Sequence, residues 1–278
     1  MDQMLRIRVP AALAALLCGA IACGGSDSST TQAPALKLAT SATLGSYLVD
    51  GNGRSLYYFG KDLPASGTNA AVSNCSGGCA AAWPAFHAGS SPVQGISASD
   101  VGEITRSDGS KQTTYRGWPL YFFAGDAKAG DVNGEGTDDI WFVMHDQDYS
   151  VALMSNPAGQ APQLYLSDGA GRSLYYFFHD TQGTANAAPV SACTTTACLT
   201  SFPIFFADES VVPSTLAKSD FTVFTRPDGQ QQSAYKGHPL YFFAEDKKPG
   251  DVNGQGFVHF GGTWWVISAA GTKVTVKP

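Results

Sequence analysis

Apolar and polar residues alternate in short bursts along this chain, and the bursts recur. SYLV (46–49) and RSLYYF (54–59) flank Asp50-Gly51-Asn52-Gly53, while LYLS (164–167) and RSLYYF (172–177) flank Asp168-Gly169-Ala170-Gly171. A period of two puts neighbouring side chains on opposite faces of a strand, and Asp-Gly between two such runs signals a hairpin. A second hairpin is predicted in each half. EITR (103–106) and KQTTYR (111–116) flank Ser107-Asp108-Gly109, and TVFTR (222–226) and QQSAYK (231–236) flank Pro227-Asp228-Gly229. Gly117-Trp118-Pro119 and Gly237-His238-Pro239 are expected to break the strand that precedes them. Each half then closes with a tryptophan strand, IWFVM (140–144) or TWWVI (263–267), and a last strand, YSVALM (149–154) or TKVTV (272–276). Between the hairpins, Ala80-Ala81-Ala82-Trp83 reads as a short helix that Pro84 ends.

A ten-residue phrase recurs four times in this pattern: GRSLYYFGKD (53–62), GWPLYFFAGD (117–126), GRSLYYFFHD (171–180) and GHPLYFFAED (237–246). Tyr57, Phe59 and Asp62 therefore recur as Tyr121, Phe123 and Asp126, as Tyr175, Phe177 and Asp180, and as Tyr241, Phe243 and Asp246. The spacing alternates, so the larger repeat holds two phrases. About seven short strands per repeat predict an all-β protein of two tandem homologous sandwich- or barrel-like domains, 44–155 and 160–278. A single four-bladed propeller-like array, one phrase per blade, is the alternative.

The four Tyr-x-Phe-x-x-Asp copies, with the Cys75-x3-Cys79-Ala-x2-Trp83-Pro84 run, resemble the bacterial secreted-repeat lipoproteins described by a Y-x-[FWY]-x-x-D motif. The resemblance covers nearly all of 44–278. It implies an extracytoplasmic lipoprotein of paired repeats, and it brings no catalytic residues with it. The second half departs from the first, with Cys193-x4-Cys198 and Phe202-Pro203.

The N-terminus supports the same address. Arg6 and Arg8 precede an apolar run too short to span a bilayer, which ends at Ala20-Ile21-Ala22-Cys23-Gly24. Residues 1–22 are expected to be a signal peptide. Small residues before Cys23 resemble a lipobox, which makes Cys23 the expected lipid acceptor, with plain secretion as the alternative. Residues 23–43 read as a lipid-anchored flexible tether. The expected location is the bacterial cell envelope, on the outer side of a membrane, periplasmic or extracellular. Net charge is −6 and no basic stripe is present, which argues against nucleic acid.

Setting aside Cys18 and Cys23, four cysteines remain as two close pairs. In an oxidising compartment these predict local disulfides, Cys75 to Cys79 and Cys193 to Cys198. Metal or redox chemistry is the competing reading, although one pair per half falls short of the usual zinc ligand count. The Asp ending each phrase is expected to cap a nearby turn. Asp131, Asn133, Glu135 and Asp138 have the rhythm of a calcium loop, but Phe142 stands where the twelfth-position carboxylate belongs. They are weak metal candidates.

The phrase aromatics read as a strand buried on both faces, or as a platform for a planar ligand. Trp118 and His238 differ between otherwise matching phrases; together with Trp83 and Phe202 they are the candidates for a divergent binding rim. No nucleophile elbow, zinc-protease helix, phosphate loop or haem site is present, and no histidine falls at one place in both halves. The sequence thus predicts a non-catalytic envelope lipoprotein without a cofactor, binding or organising a partner protein or glycan. An extracytoplasmic redox or metal-dependent accessory protein is the alternative.

Overall fold

The predicted alternation becomes strands nearly everywhere it occurs. The computed structural model describes residues 35–90, 93–155, 163–208 and 211–274. The expected signal segment, Cys23, residues 24–34 of the tether, the linker after Ser155 and the end of the last strand lie outside them. The first repeat contains β1 (Leu36–Ser41), β2 (Gly45–Asp50), β3 (Tyr57–Phe59), α1 (Gly78–Ala82), β4 (Val101–Thr105), β5 (Lys111–Tyr115), β6 (Trp118–Pro119), β7 (Trp141–Val143) and β8 (Ala152–Ser155). The second contains β9 (Leu164–Ser167), β10 (Tyr175–Phe177), α2 (Thr196–Ser201), β11 (Phe221–Thr225), β12 (Gln231–Tyr235), β13 (His238–Pro239), β14 (Val258–His259) and β15 (Gly262–Val266).

The protein is essentially all-β. Its described strands form small antiparallel sheets of two or three strands, β1-β2, β3-β7, β4-β5-β6, β8-β9, β10-β15-β14 and β11-β12-β13. No closed barrel forms among them. The first phrase strand of each repeat pairs with its tryptophan strand, Tyr58 opposite Phe142 and Tyr176 opposite Trp265. The predicted break after β5 is instead a tight hairpin, since Tyr115 pairs with Trp118 and Thr114 with Pro119. Arg116 and Gly117 make the turn with φ of 47° and 86°, the left-handed pair that a two-residue hairpin requires. A Cβ on Gly117 would lie 2.6 Å from the Ala65 carbonyl oxygen, so the site admits only glycine.

Residues 36–41, assigned in sequence to the tether, form β1. They pair with β2 from Leu36 opposite Asp50 to Ser41 opposite Gly45, and Leu36 is fully buried. The fold therefore begins before Leu44. β8 has the corresponding place at the junction, with Leu153 opposite Leu166 of β9. Each repeat thus takes a strand from the segment preceding it. The main core cluster includes Leu48, Leu56 and Phe142 from one repeat with Leu166, Leu174 and Trp264 from the other, and residues from Gln32 onward cluster as one unit.

Candidate functional site

The four phrase strands position their tyrosines and aspartates by strand pairing. Tyr57 and Tyr121 exchange backbone hydrogen bonds, N–H to carbonyl at 2.9 and 3.0 Å, as do Tyr175 and Tyr241 at 2.8 and 2.9 Å. This two-fold contact places the tyrosine of each phrase beside the aspartate of its partner. The Tyr57 hydroxyl donates to Asp126 Oδ2 at 2.7 Å and the Tyr121 hydroxyl to Asp62 Oδ2 at 2.6 Å. In the second repeat Tyr175 donates to Asp246 at 2.7 Å and Tyr241 to Asp180 at 2.9 Å.

The other oxygen of each aspartate accepts a backbone amide farther along the chain: Asn74 for Asp62, Asn133 for Asp126, Ala192 for Asp180 and Asn253 for Asp246. The expected local turn cap is therefore a longer-range clamp. Burial pushes the Asp62 and Asp180 carboxyls up to about 7, against the amide, hydroxyl and arginine that favour their charged forms. Asp246 is pushed up to about 6, and Asp126 is raised for the same reason. All four tyrosines are raised by burial first and by their aspartates next.

A column of rings stands between the pairs. Phe59 stacks on Trp141 at 4.0 Å, Trp141 on Trp83 at 3.8 Å, and Trp83 meets Phe123 at 4.4 Å. Phe177, Trp264, Phe202 and Phe243 repeat it at 4.2, 3.5 and 4.8 Å. Each such contact is worth about 0.5–1.5 kcal/mol beyond its buried area. Phe202 replaces Trp83 in this column and keeps the stack.

Beside it, Arg106 donates to Ser73 and Gln112, and Arg226 donates to Ser191 and Gln232. The same guanidinium groups reach the carbonyls of Cys75 and Cys193. The cysteine loops are thereby tied to the tyrosine pairs, because Ser73 and Ser191 also bond the hydroxyls of Tyr121 and Tyr241. Cys75 is bonded to Cys79 and Cys193 to Cys198.

The weak metal candidates are dispersed. Asp131 accepts the amides of Ala127 and Lys128, Asn133 donates to the Gly125 carbonyl, and Glu135 accepts the Val143 amide at 2.6 Å. Asp138 lies in a left-handed turn. Among the described residues no three His, Cys, Asp or Glu side chains gather closely enough to hold a metal ion. The expected rim is also absent, because Trp83, Trp118 and Phe202 are buried and Trp118 donates to the Gly169 carbonyl at 2.8 Å.

The family described as a secreted repeat of unknown function matches residues 39–87, 102–145 and 222–268, half of the chain. The chain belongs to this family. Three of the four phrases lie inside the matched segments, two in the first repeat and one in the second, so each match holds one phrase. No curated protein and no solved structure matches the chain. No helix of the described residues is long and apolar enough to cross a membrane.

With the motif turned inward, the candidate functional surface lies elsewhere, on one face of the sheet β10-β15-β14. Val258 is opposite Thr263, the Phe178 amide donates to the Thr263 carbonyl, and Tyr176 is opposite Trp265, so these side chains share a face. Phe178 is 73% exposed and Val258 75%. Tyr176, Phe178, Trp265, His238, Thr272 and Lys273 line a groove of about 470 Å³ there. Sequence reasoning singled out only His238 of this set. The available signal was a length difference between the repeats, where Phe257-Val258-His259-Phe260-Gly261-Gly262 replaces Thr137-Asp138-Asp139.

Proposed function

We propose that this protein is a lipid-anchored extracytoplasmic binding module. Two sandwich-like β repeats stand off a bacterial membrane on a lipidated Cys23 and a polar tether, and bind an envelope protein or glycan without catalysing a reaction. Membership of a secreted-repeat family supports the location. The observation that carries the rest is the reciprocal pairing of Tyr57 with Asp126, Tyr121 with Asp62, Tyr175 with Asp246 and Tyr241 with Asp180. These recurring polar groups are occupied by one another, so the repeated motif is a scaffold and specificity falls to surfaces that differ between repeats.

Two measurements test this reading. Cys23→Ala should move the protein from the membrane pellet to the soluble fraction, and an unchanged pellet would exclude the anchor. A soluble form beginning after Cys23, used as bait in envelope extract, should retain a protein or glycan. Turnover of an envelope substrate with nothing retained would exclude a binding module.

A further inference from the structure

The two repeats treat the same sheet face in opposite ways. In the first repeat the Tyr58 ring is enclosed by Trp118 at 4.8 Å, Tyr149 at 5.1 Å and Phe142 at 5.6 Å. A Cβ on Gly60 would lie 2.5 Å from the Leu153 carbonyl oxygen, so β8 runs directly over that position. In the second repeat His238 stands where Trp118 does, Thr272 where Tyr149 does, and Phe178 where Gly60 does. One ring is lost from the interior, the Trp118 indole gives way to the smaller His238 imidazole 4.7 Å from the Tyr176 ring, and the Phe178 ring is placed outside, leaving the open groove.

Ser155 fastens β8 to the first repeat through its amide and the Gly60 carbonyl, at 2.9 Å.

The groove's chemistry is that of an amphipathic ring ligand. Trp265 and Phe178 offer flat apolar surfaces, while His238, Thr263 and Thr272 offer hydrogen-bonding groups around them. Its volume is within the range of small-ligand sites, about 300–1,000 Å³. No lining residue is acidic, although the chain as a whole carries a net charge of −6. Lys273 Nζ lies over the Trp265 ring, 4.9 Å from its centre, so a cation stands within the groove beside the exposed Phe178 ring.

We propose that this groove binds an acidic glycan, with a sugar ring stacked on Trp265 and Phe178 and its carboxylate paired with Lys273. The inference rests on the binding-module reading and names a ligand class for it. Titration calorimetry on the soluble full-length mature chain would use an oligogalacturonate, with a neutral cello-oligosaccharide of equal length as the control. The uronate should bind and the neutral sugar should bind at least about tenfold more weakly.

Phe178→Ser changes an exposed side chain and is expected to leave the fold intact while weakening uronate binding about tenfold, the loss expected for one stacking ring. Lys273→Gln should remove the preference for the uronate over the neutral sugar. Absence of uronate binding at millimolar concentration, or unchanged affinity in Phe178→Ser, would overturn the proposal. If the uronate fails while the envelope bait still retains a partner, the sugar assignment falls and the binding module stands; failure of both removes both.

Discussion

At the scale of residues, the aspartates that end the phrases make stability depend on pH in an unusual direction. Burial pushes the Asp62 and Asp180 carboxyls up to about 7 in the native state, whereas the ordinary value for an aspartate in an unfolded chain is about 3.9. Between those values the native state binds more protons than the unfolded state, so unfolding free energy falls as pH rises. The effect levels off above about 7, where both states are ionised. Urea unfolding should therefore give a higher midpoint at mildly acidic than at mildly alkaline pH, and Asp62→Asn with Asp180→Asn should flatten the difference. A slope unchanged in the double variant would assign it to other groups. Glu135 is a second case. Burial raises its pKa, against the Val143 amide and the Ser214 hydroxyl. The matching residue is Gln255, which accepts the Val266 amide at 2.7 Å and donates to the Val274 carbonyl at 2.5 Å. An amide thus does in one repeat what an unwillingly charged carboxyl does in the other. Glu135→Gln is expected to raise unfolding free energy at neutral pH by about 0.5–1.5 kcal/mol, with a smaller gain in acid. A loss at neutral pH would mean that the carboxylate is required.

At the scale of elements, local signals and distant partners separate what the sequence revealed from what it hid. The second Asp-Gly hairpin of each half was legible because turn chemistry and alternation occupy adjacent residues, whereas the arms of the first are joined only by single bridges, Val49 to Ser55 and Ser167 to Ser173, and find their main strand partners elsewhere. β4 with β5 and β11 with β12 form as expected. The burial of both faces of Tyr57–Phe59 was legible for the same reason. The crossing of Tyr57 to Asp126 was not, since its partners lie 69 residues apart and nothing local distinguishes a cap from a clamp. β1 escaped because Leu36 and Leu38 are only two apolar positions in a stretch otherwise like a tether. Their partner is β2, and pairing there is decided by an edge that β2 would otherwise leave open. Leu36→Ala should cost about 2–5 kcal/mol in denaturant unfolding, as for other buried leucines. A cost near zero would return residues 36–41 to the tether.

At the scale of the whole molecule, the repeat boundary follows strand exchange rather than the phrase count. β1 lies on β2, and β8 lies on β9 in the corresponding register, with Leu38 opposite Leu48 and Leu153 opposite Leu166. A boundary at residue 160 separates β9 from β8, whose Leu153 and Met154 are each 1% exposed. Truncating either such side chain typically costs about 2–5 kcal/mol, against a total stability of about 5–15 kcal/mol for a small domain. Removing the strand also leaves β9 as a bare edge. A fragment of residues 150–278 should therefore give a cooperative thermal transition by circular dichroism, whereas 160–278 should be unfolded or aggregate. The second repeat would then be an independent domain only when it carries the strand that precedes it. Equal melting of the two fragments would place β8 outside the second folding unit and return the boundary to the linker after Ser155.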